Sequence, residues 1–290
     1  MTPKAILLLS LTLLLFPALA RADEKSDLAR MAQEHKHDKP VPTQAAMEEP
    51  TRPVDAEEVT YGEVGGKPVR GYLARPKDAK GSLPGLIVIH EWWGLNDNIR
   101  AMTRRLAGEG YQALAVDLYG GQKADDPDAA MKLVNAVMQN RPAAEENLRK
   151  AAAWLEGKGA TKLGVIGWCF GGGWSLGTAL LLPDKIDATV IYYGRLETDK
   201  AKLATIKSPI IGFFGEKDQA IPVASVRQFE AALKELGKPA AIHIYPNADH
   251  AFANPSGGSY NAEAAKDAWK ETTAFLKKHL QAGGGEMKKQ

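Results

Sequence analysis

Apolar and polar positions follow two regimes along this chain. From residue 57 to about 280, short apolar runs alternate with stretches of helical spacing; before residue 57 that order is missing. Positions 59–64 and 68–74 alternate with the period of two that strands require, and Gly65-Gly66 separates them, which predicts a β-hairpin. Runs at 85–90, 111–116, 162–166, 186–192, 209–214 and 241–245 are largely apolar, as strands buried on both faces should be. Helical spacing fills most of the gaps, at 98–110, 128–139, 143–158, 170–182 and 223–236, and continues after the last strand at 261–280. Gly110 closes the first of these helices, and Pro142 suits the first turn of the third. Strands alternating with helices predict an α/β fold, a mostly parallel sheet with helices on both faces, in one domain over 57–280. In such sheets active sites gather beyond the carboxyl ends of the strands.

The flanks read differently. Residues 1–20 carry Lys4, an apolar stretch at 6–16 and Ala18-Leu19-Ala20, the pattern of a secretory signal peptide with a small-x-small cleavage site. The apolar stretch is shorter than a bilayer span, so the expectation is export to the periplasm or beyond, with no stable membrane insertion after cleavage. Residues 21–56 are charged and proline-containing, which predicts a flexible arm with a short helix at 27–34. His35 and His37 flank Lys36 there and read as solvated histidines rather than a metal tract. The tail, 281–290, is rich in glycine and lysine and reads as disordered. A formal net charge of +2 over 290 residues gives no reason to expect a nucleic-acid partner. No cofactor or metal is expected, and the chain reads as a monomer.

Chemistry concentrates at residue 169. The apolar run at 162–166 leads into Gly167-Trp168-Cys169-Phe170-Gly171, and a helical pattern follows. Gly-x-Cys-x-Gly at a strand-to-helix turn is a nucleophile elbow: the nucleophile's backbone is strained, and small residues two places either side avoid a collision. The helix start aims its N–H groups and the positive end of its dipole at the nucleophile, which favours a thiolate or an oxyanion. Cys169 is the only cysteine in the chain, whereas exported proteins normally pair theirs in disulfides.

A nucleophile of this kind needs a base and a group that orients the base. His250 follows the strand at 241–245 and is the first choice; His90, ending its own strand, is the second. Asp218 follows the strand at 209–214 in a glycine-led loop before Pro222, and Asp117 after 111–116 is its rival. Taking the first choices gives the chain order Cys169, Asp218, His250.

Three blocks together resemble the dienelactone hydrolase family, the cysteine branch of the α/β-hydrolases: Ile89-His90-Glu91-Trp92-Trp93-Gly94, Gly167-Trp168-Cys169-Phe170-Gly171-Gly172 and Asp249-His250-Ala251-Phe252. The resemblance spans about residues 57–280. It implies a hydrolase of carboxylic esters or lactones, acting on small molecules through a Cys169–His250–Asp218 triad and an acyl-enzyme. By family position Glu91 would activate the thiol, and the backbone N–H groups of Trp92 and Phe170 would form the oxyanion hole. Trp93, Tyr119, Phe252 and Asn254 would lie at the substrate pocket. A thioesterase, or a non-catalytic exported binding or thiol protein on the same fold, is the alternative. The chain departs from the family at two arginines that bind a substrate carboxylate. After Asp117-Leu118-Tyr119 it reads Gly120-Gly121-Gln122, and four residues past His250 stands Asn254. Lys123 and Arg195 are the candidate replacements. The resemblance therefore implies the reaction type more strongly than the dienelactone substrate.

Overall fold

A computed structural model describes residues 43–281, together with Ala29, Arg30, Ala32, Gln33, His35, Lys36 and Pro40. The expected signal peptide, most of the arm before residue 43 and the tail from 282 lie outside the described residues. Eight strands form one sheet: β1 (Val54–Val64), β2 (Lys67–Pro76), β3 (Gly85–Ile89), β4 (Gln112–Val116), β5 (Leu163–Trp168), β6 (Ile186–Tyr192), β7 (Ile210–Gly215) and β8 (Ala240–Tyr245). Their spatial order is β1-β2-β4-β3-β5-β6-β7-β8, with β1 and β2 antiparallel and β4 through β8 parallel.

Every residue of β3, β4, β5 and β7 is buried, which accounts for their unbroken apolar runs. Fully burying one of their valine, leucine or isoleucine side chains contributes about 1.5–3 kcal/mol. The edge strands β1 and β8 are largely exposed or half-buried. Helices α1 (Asp97–Gly108), α2 (Pro127–Gln139), α3 (Arg141–Gly157), α4 (Phe170–Leu181), α5 (Lys200–Leu203), α6 (Val223–Glu235) and α7 (Ala262–Leu276) connect and cover the sheet. Asn96 caps α1 by accepting from Ile99 N–H, Asp126 caps α2 by accepting from Ala129 N–H, and Asn261 caps α7 in the same way at Ala264. Helix α4 has no side-chain cap; its N-cap residue is Cys169. Its first N–H groups are therefore left to the space around the thiol.

The arm differs from its expected form. Ala29, Arg30, Ala32 and Gln33 are helical, in line with a short helix there. From Thr43 onward, however, the chain is fastened to the domain. Thr43 Oγ1 donates to the Pro255 carbonyl at 3.0 Å, Ala46 is buried, and Glu48 pairs with Arg105 at 2.7 Å. Thr51 Oγ1 and Arg52 Nε both donate to the Gly108 carbonyl, at 2.9 and 2.8 Å, occupying an acceptor that the end of α1 leaves open. Strand β1 then begins at Val54, so the ordered domain starts before residue 57. His35 is also not solvated, being only 3% exposed. No helix among the described residues is long and apolar enough to cross a membrane.

Candidate active site

The carboxyl ends of β3, β5, β7 and β8 converge on one region. At the end of β5, Cys169 has φ 54° and ψ −117°, a conformation that costs a non-glycine residue about 1–3 kcal/mol. Its N–H donates to the Tyr192 carbonyl at 3.0 Å, and its carbonyl accepts from Gly173 N–H at 3.1 Å, which holds the turn from both sides. The flanking glycines are steric necessities. A Cβ on Gly167 would lie 2.0 Å from the Gly171 carbonyl oxygen, and one on Gly171 would lie 2.3 Å from that of Ile89. The elbow closes on itself only with glycine at 167 and fits against β3 only with glycine at 171.

Asp218, in the loop after β7, is 2% exposed and uses both carboxylate oxygens. Oδ1 accepts from Ile221 N–H at 2.7 Å, which closes the loop on itself, and Oδ2 meets His250 Nδ1 at 2.8 Å. The acid loop is tied to the histidine loop by Lys217 N–H donating to the Ala248 carbonyl at 2.9 Å. A hydrogen bond from Nδ1–H to Asp218 leaves a lone pair on the buried Nε2. Burial alone pulls the imidazole pKa down. The Asp218 carboxylate and then the charge at Cys169 outweigh it, and hold His250 well above its ordinary value. Cys169 Sγ and a ring nitrogen of His250 lie within 4.8 Å of each other.

The alternatives are occupied elsewhere. His90 Nδ1 lies 2.6 Å from the Glu91 carbonyl, and Nε2 accepts from Leu118 N–H at 3.2 Å. Both ring nitrogens are thus engaged with backbone, and burial lowers this imidazole's pKa. Asp117 accepts from Tyr119 N–H at 2.8 Å and from Gly121 N–H, organising the turn after β4. Asp249 accepts from His250 N–H at 2.8 Å and so shapes the histidine's backbone.

Glu91, after β3, is 5% exposed, and its Oε2 accepts from Asn254 Nδ2 at 2.8 Å. Asn254 Oδ1 in turn accepts from Ser256 N–H at 2.9 Å, which fixes the orientation of the amide. The residue standing where the family carries an arginine therefore touches the glutamate directly. Burial holds the Tyr119 and Tyr193 phenols well above their ordinary range, and negative charge at Cys169 adds to both. Both remain protonated.

Trp92, Trp93, Tyr119 and Phe252 are buried in the main apolar cluster, with Phe170 at its margin. The Tyr119 ring lies against those of His90 and Phe170, and Phe252 against Tyr193. Two cavities open here. One of about 660 Å³ reaches Cys169 and is lined by Phe170, Trp174, Met138 and Tyr193, with Arg141 and Arg195 also on its walls. Another of about 500 Å³ reaches Glu91, Asn254 and Trp168. Arg195 is thus beside the Cys169 cavity; Lys123 lines neither. Sequence spacing gave no means of finding Tyr193, which lines both cavities, or His35, whose ring centroid lies 5.2 Å from both Trp92 and His250.

A sheet of this order, with Cys169 at a strained strand-to-helix turn after β5, Asp218 after β7 and His250 after β8, has the α/β-hydrolase fold. The comparisons with known proteins narrow this further. The model of the dienelactone hydrolase family matches residues 69–280, and the chain belongs to that family. It is 34% identical over 258 residues to the "Putative carboxymethylenebutenolidase" of Saccharolobus solfataricus, an alignment covering 76% of this chain and 98% of the relative. It is 38% identical over 226 residues to "Protein usf" of Aquifex pyrophilus, covering 75% and 96%. Among solved structures, the "Putative Dienelactone Hydrolase" of Klebsiella pneumoniae superposes with a TM-score of 0.70 at 32% identity, covering 78% of this chain and 99% of that one. The family is one of carboxylic ester hydrolases, and this chain is an enzyme of that class.

Proposed function

We propose that the chain hydrolyses a small carboxylic ester or lactone through an acyl-enzyme on Cys169. One observation carries the reading: a strained cysteine at an uncapped helix start, with a buried His250–Asp218 pair beside it. The His250 imidazole takes the thiol proton, and Cys169 Sγ attacks the carbonyl carbon. The oxyanion forms against the N–H groups of Phe170 and Trp92. The imidazolium then protonates the departing alkoxide. Water enters, gives its proton to His250 and attacks the thioester, and the acid leaves as Cys169 recovers its thiol. Asp218 keeps the required tautomer and stabilises the imidazolium. Glu91 serves the thiol activation step as a second, movable carboxylate, with Asn254 holding its resting position.

The cavity at Cys169 favours an apolar acyl group, and Arg195 on its wall favours an anionic substituent further out. The leader pattern at 1–20 supports export, to the periplasm or beyond, with cleavage after Ala20. The test is turnover of a panel of p-nitrophenyl esters and lactones by wild type, Cys169→Ala and Cys169→Ser. Turnover by wild type and its loss in Cys169→Ala are expected. Full activity in Cys169→Ala would remove Cys169 as the nucleophile, and no turnover across the panel would remove the hydrolase reading.

A further inference from the structure

The arm residue His35 sits inside the site just described. It is 3% exposed, its ring lies 5.2 Å from Trp92 at 48°, and it meets the His250 ring edge-on at 5.2 Å and 72°. Its ligand atom, Cys169 Sγ and a nitrogen of His250 all lie within 4.8 Å of one another. All three residues are buried. Nothing in the hydrolytic cycle uses His35. Its place is set by the arm, whose continuation is fastened at Thr43, Ala46, Thr51 and Arg52.

We propose that His35, Cys169 and His250 form a binding site for a borderline-soft divalent metal ion, Zn²⁺ foremost, that holds the enzyme in an inactive state. Two imidazoles and a thiolate are the donors that zinc takes, while Mg²⁺ and Ca²⁺ require oxygen. A histidine ligand is typically oriented by a carboxylate on its other nitrogen, and Asp218 already occupies Nδ1 of His250 at 2.8 Å. Zinc–nitrogen bonds of about 2.0 Å and a zinc–sulfur bond of about 2.3 Å place these tetrahedral ligands roughly 3.3–3.5 Å apart. With all three ligand atoms within 4.8 Å of one another, closing the triangle takes at most about 1.5 Å of ligand movement, within reach of side-chain rotation and a shift of the turn that carries His35. Three protein ligands leave a fourth position for water. Binding uses the thiolate and the Nε2 lone pair at once, so it removes nucleophile and base together.

As an inhibitory site this rests on the reading of Cys169 and His250 as nucleophile and base, so the experiment has one readout independent of activity. The full chain is stripped with a chelator, and wild type, His35→Ala and His35→Gln are titrated with Zn²⁺ during p-nitrophenyl ester hydrolysis. The same proteins and Cys169→Ser are then loaded with Co²⁺ and their absorption spectra recorded. Wild type is expected to lose activity at one Zn²⁺ per chain and regain it with chelator. Measured against its own metal-free rate, each His35 variant should need at least about tenfold more Zn²⁺ for the same loss of activity. Wild type should show a thiolate-to-cobalt charge-transfer band that is absent in Cys169→Ser and diminished without His35. Equal Zn²⁺ sensitivity in wild type and both His35 variants, with unchanged cobalt spectra, would overturn the site. A cobalt band that depends on both His35 and Cys169, in a protein with no esterase activity, would support the metal site and defeat the hydrolase reading instead.

Discussion

Replacing Asp218 with asparagine separates geometry from charge at the heart of the site. The side chain keeps its size, and its oxygen still accepts from Ile221 N–H, a bond of 2.7 Å in the wild type. The amide then faces His250 Nδ1 across what was a 2.8 Å contact. An NH₂ group there requires Nδ1 to accept, which moves the imidazole proton to Nε2 and removes the lone pair the thiol needs. The imidazolium also loses its counter-charge. Two unit charges about 4 Å apart at an effective dielectric near 20 interact by about 4 kcal/mol, and 1.4 kcal/mol corresponds to a tenfold change. The variant should therefore lose about a thousandfold in kcat/KM for a short p-nitrophenyl ester. Alkylation of Cys169 by iodoacetamide at neutral pH should slow as well, because the neighbouring imidazole no longer offers a lone pair to the thiol proton. Folding should survive, and circular dichroism with urea unfolding checks that. A folded Asp218→Asn protein within tenfold of wild type, with an unaltered pH profile, would refute the role given to this carboxylate.

Four further outcomes are expected. Gly171→Ala, whose Cβ would lie 2.3 and 2.5 Å from the Ile89 and His90 carbonyl oxygens, should lower stability by roughly 3 kcal/mol or more in urea unfolding. Gly120→Ala, at φ 62° with open space around it, should cost only the backbone strain of about 1–2 kcal/mol. The folded-state pKa of His250 is raised, so its stabilisation is fully present below its unfolded value of about 6.5 and is lost as pH rises through the folded value. The stability gap between wild type and His250→Gln should accordingly narrow from pH 6 toward alkaline pH, and a gap that widens contradicts the assignment. Arg195→Ala should raise KM about tenfold for esters with an anionic acyl substituent while leaving neutral esters near wild type; equal effects on both would remove Arg195 from specificity.

The parts of the fold that the sequence discloses are those where burial is one-sided or complete. Strands β3, β4, β5 and β7 stand out because every position is buried, and their ends fall within a residue or two of the apolar runs. The start of β1 is hidden because five of its first seven residues are exposed, so alternation is weak there. Helix α5 has only four residues and leaves no period to read. In the site, Cys169, Asp218 and His250 each follow a strand end, which is a local signal. Glu91 and Asn254 touch across 163 positions, and no spacing encodes that contact. His35 is the extreme case. Its neighbours are charged, its local pattern is that of a solvated arm, and its burial comes wholly from where the folded domain receives it.

The central claim is that Cys169 carries the acyl group, and trapping that group tests it most directly. Wild type and a deacylation-slowed His250→Gln variant are mixed with an activated ester, quenched in acid and examined by intact and peptide mass spectrometry. One acyl group per chain, on the peptide containing Cys169, is the predicted result. Turnover with no adduct at all, or an adduct mapped to any other residue, would contradict the account.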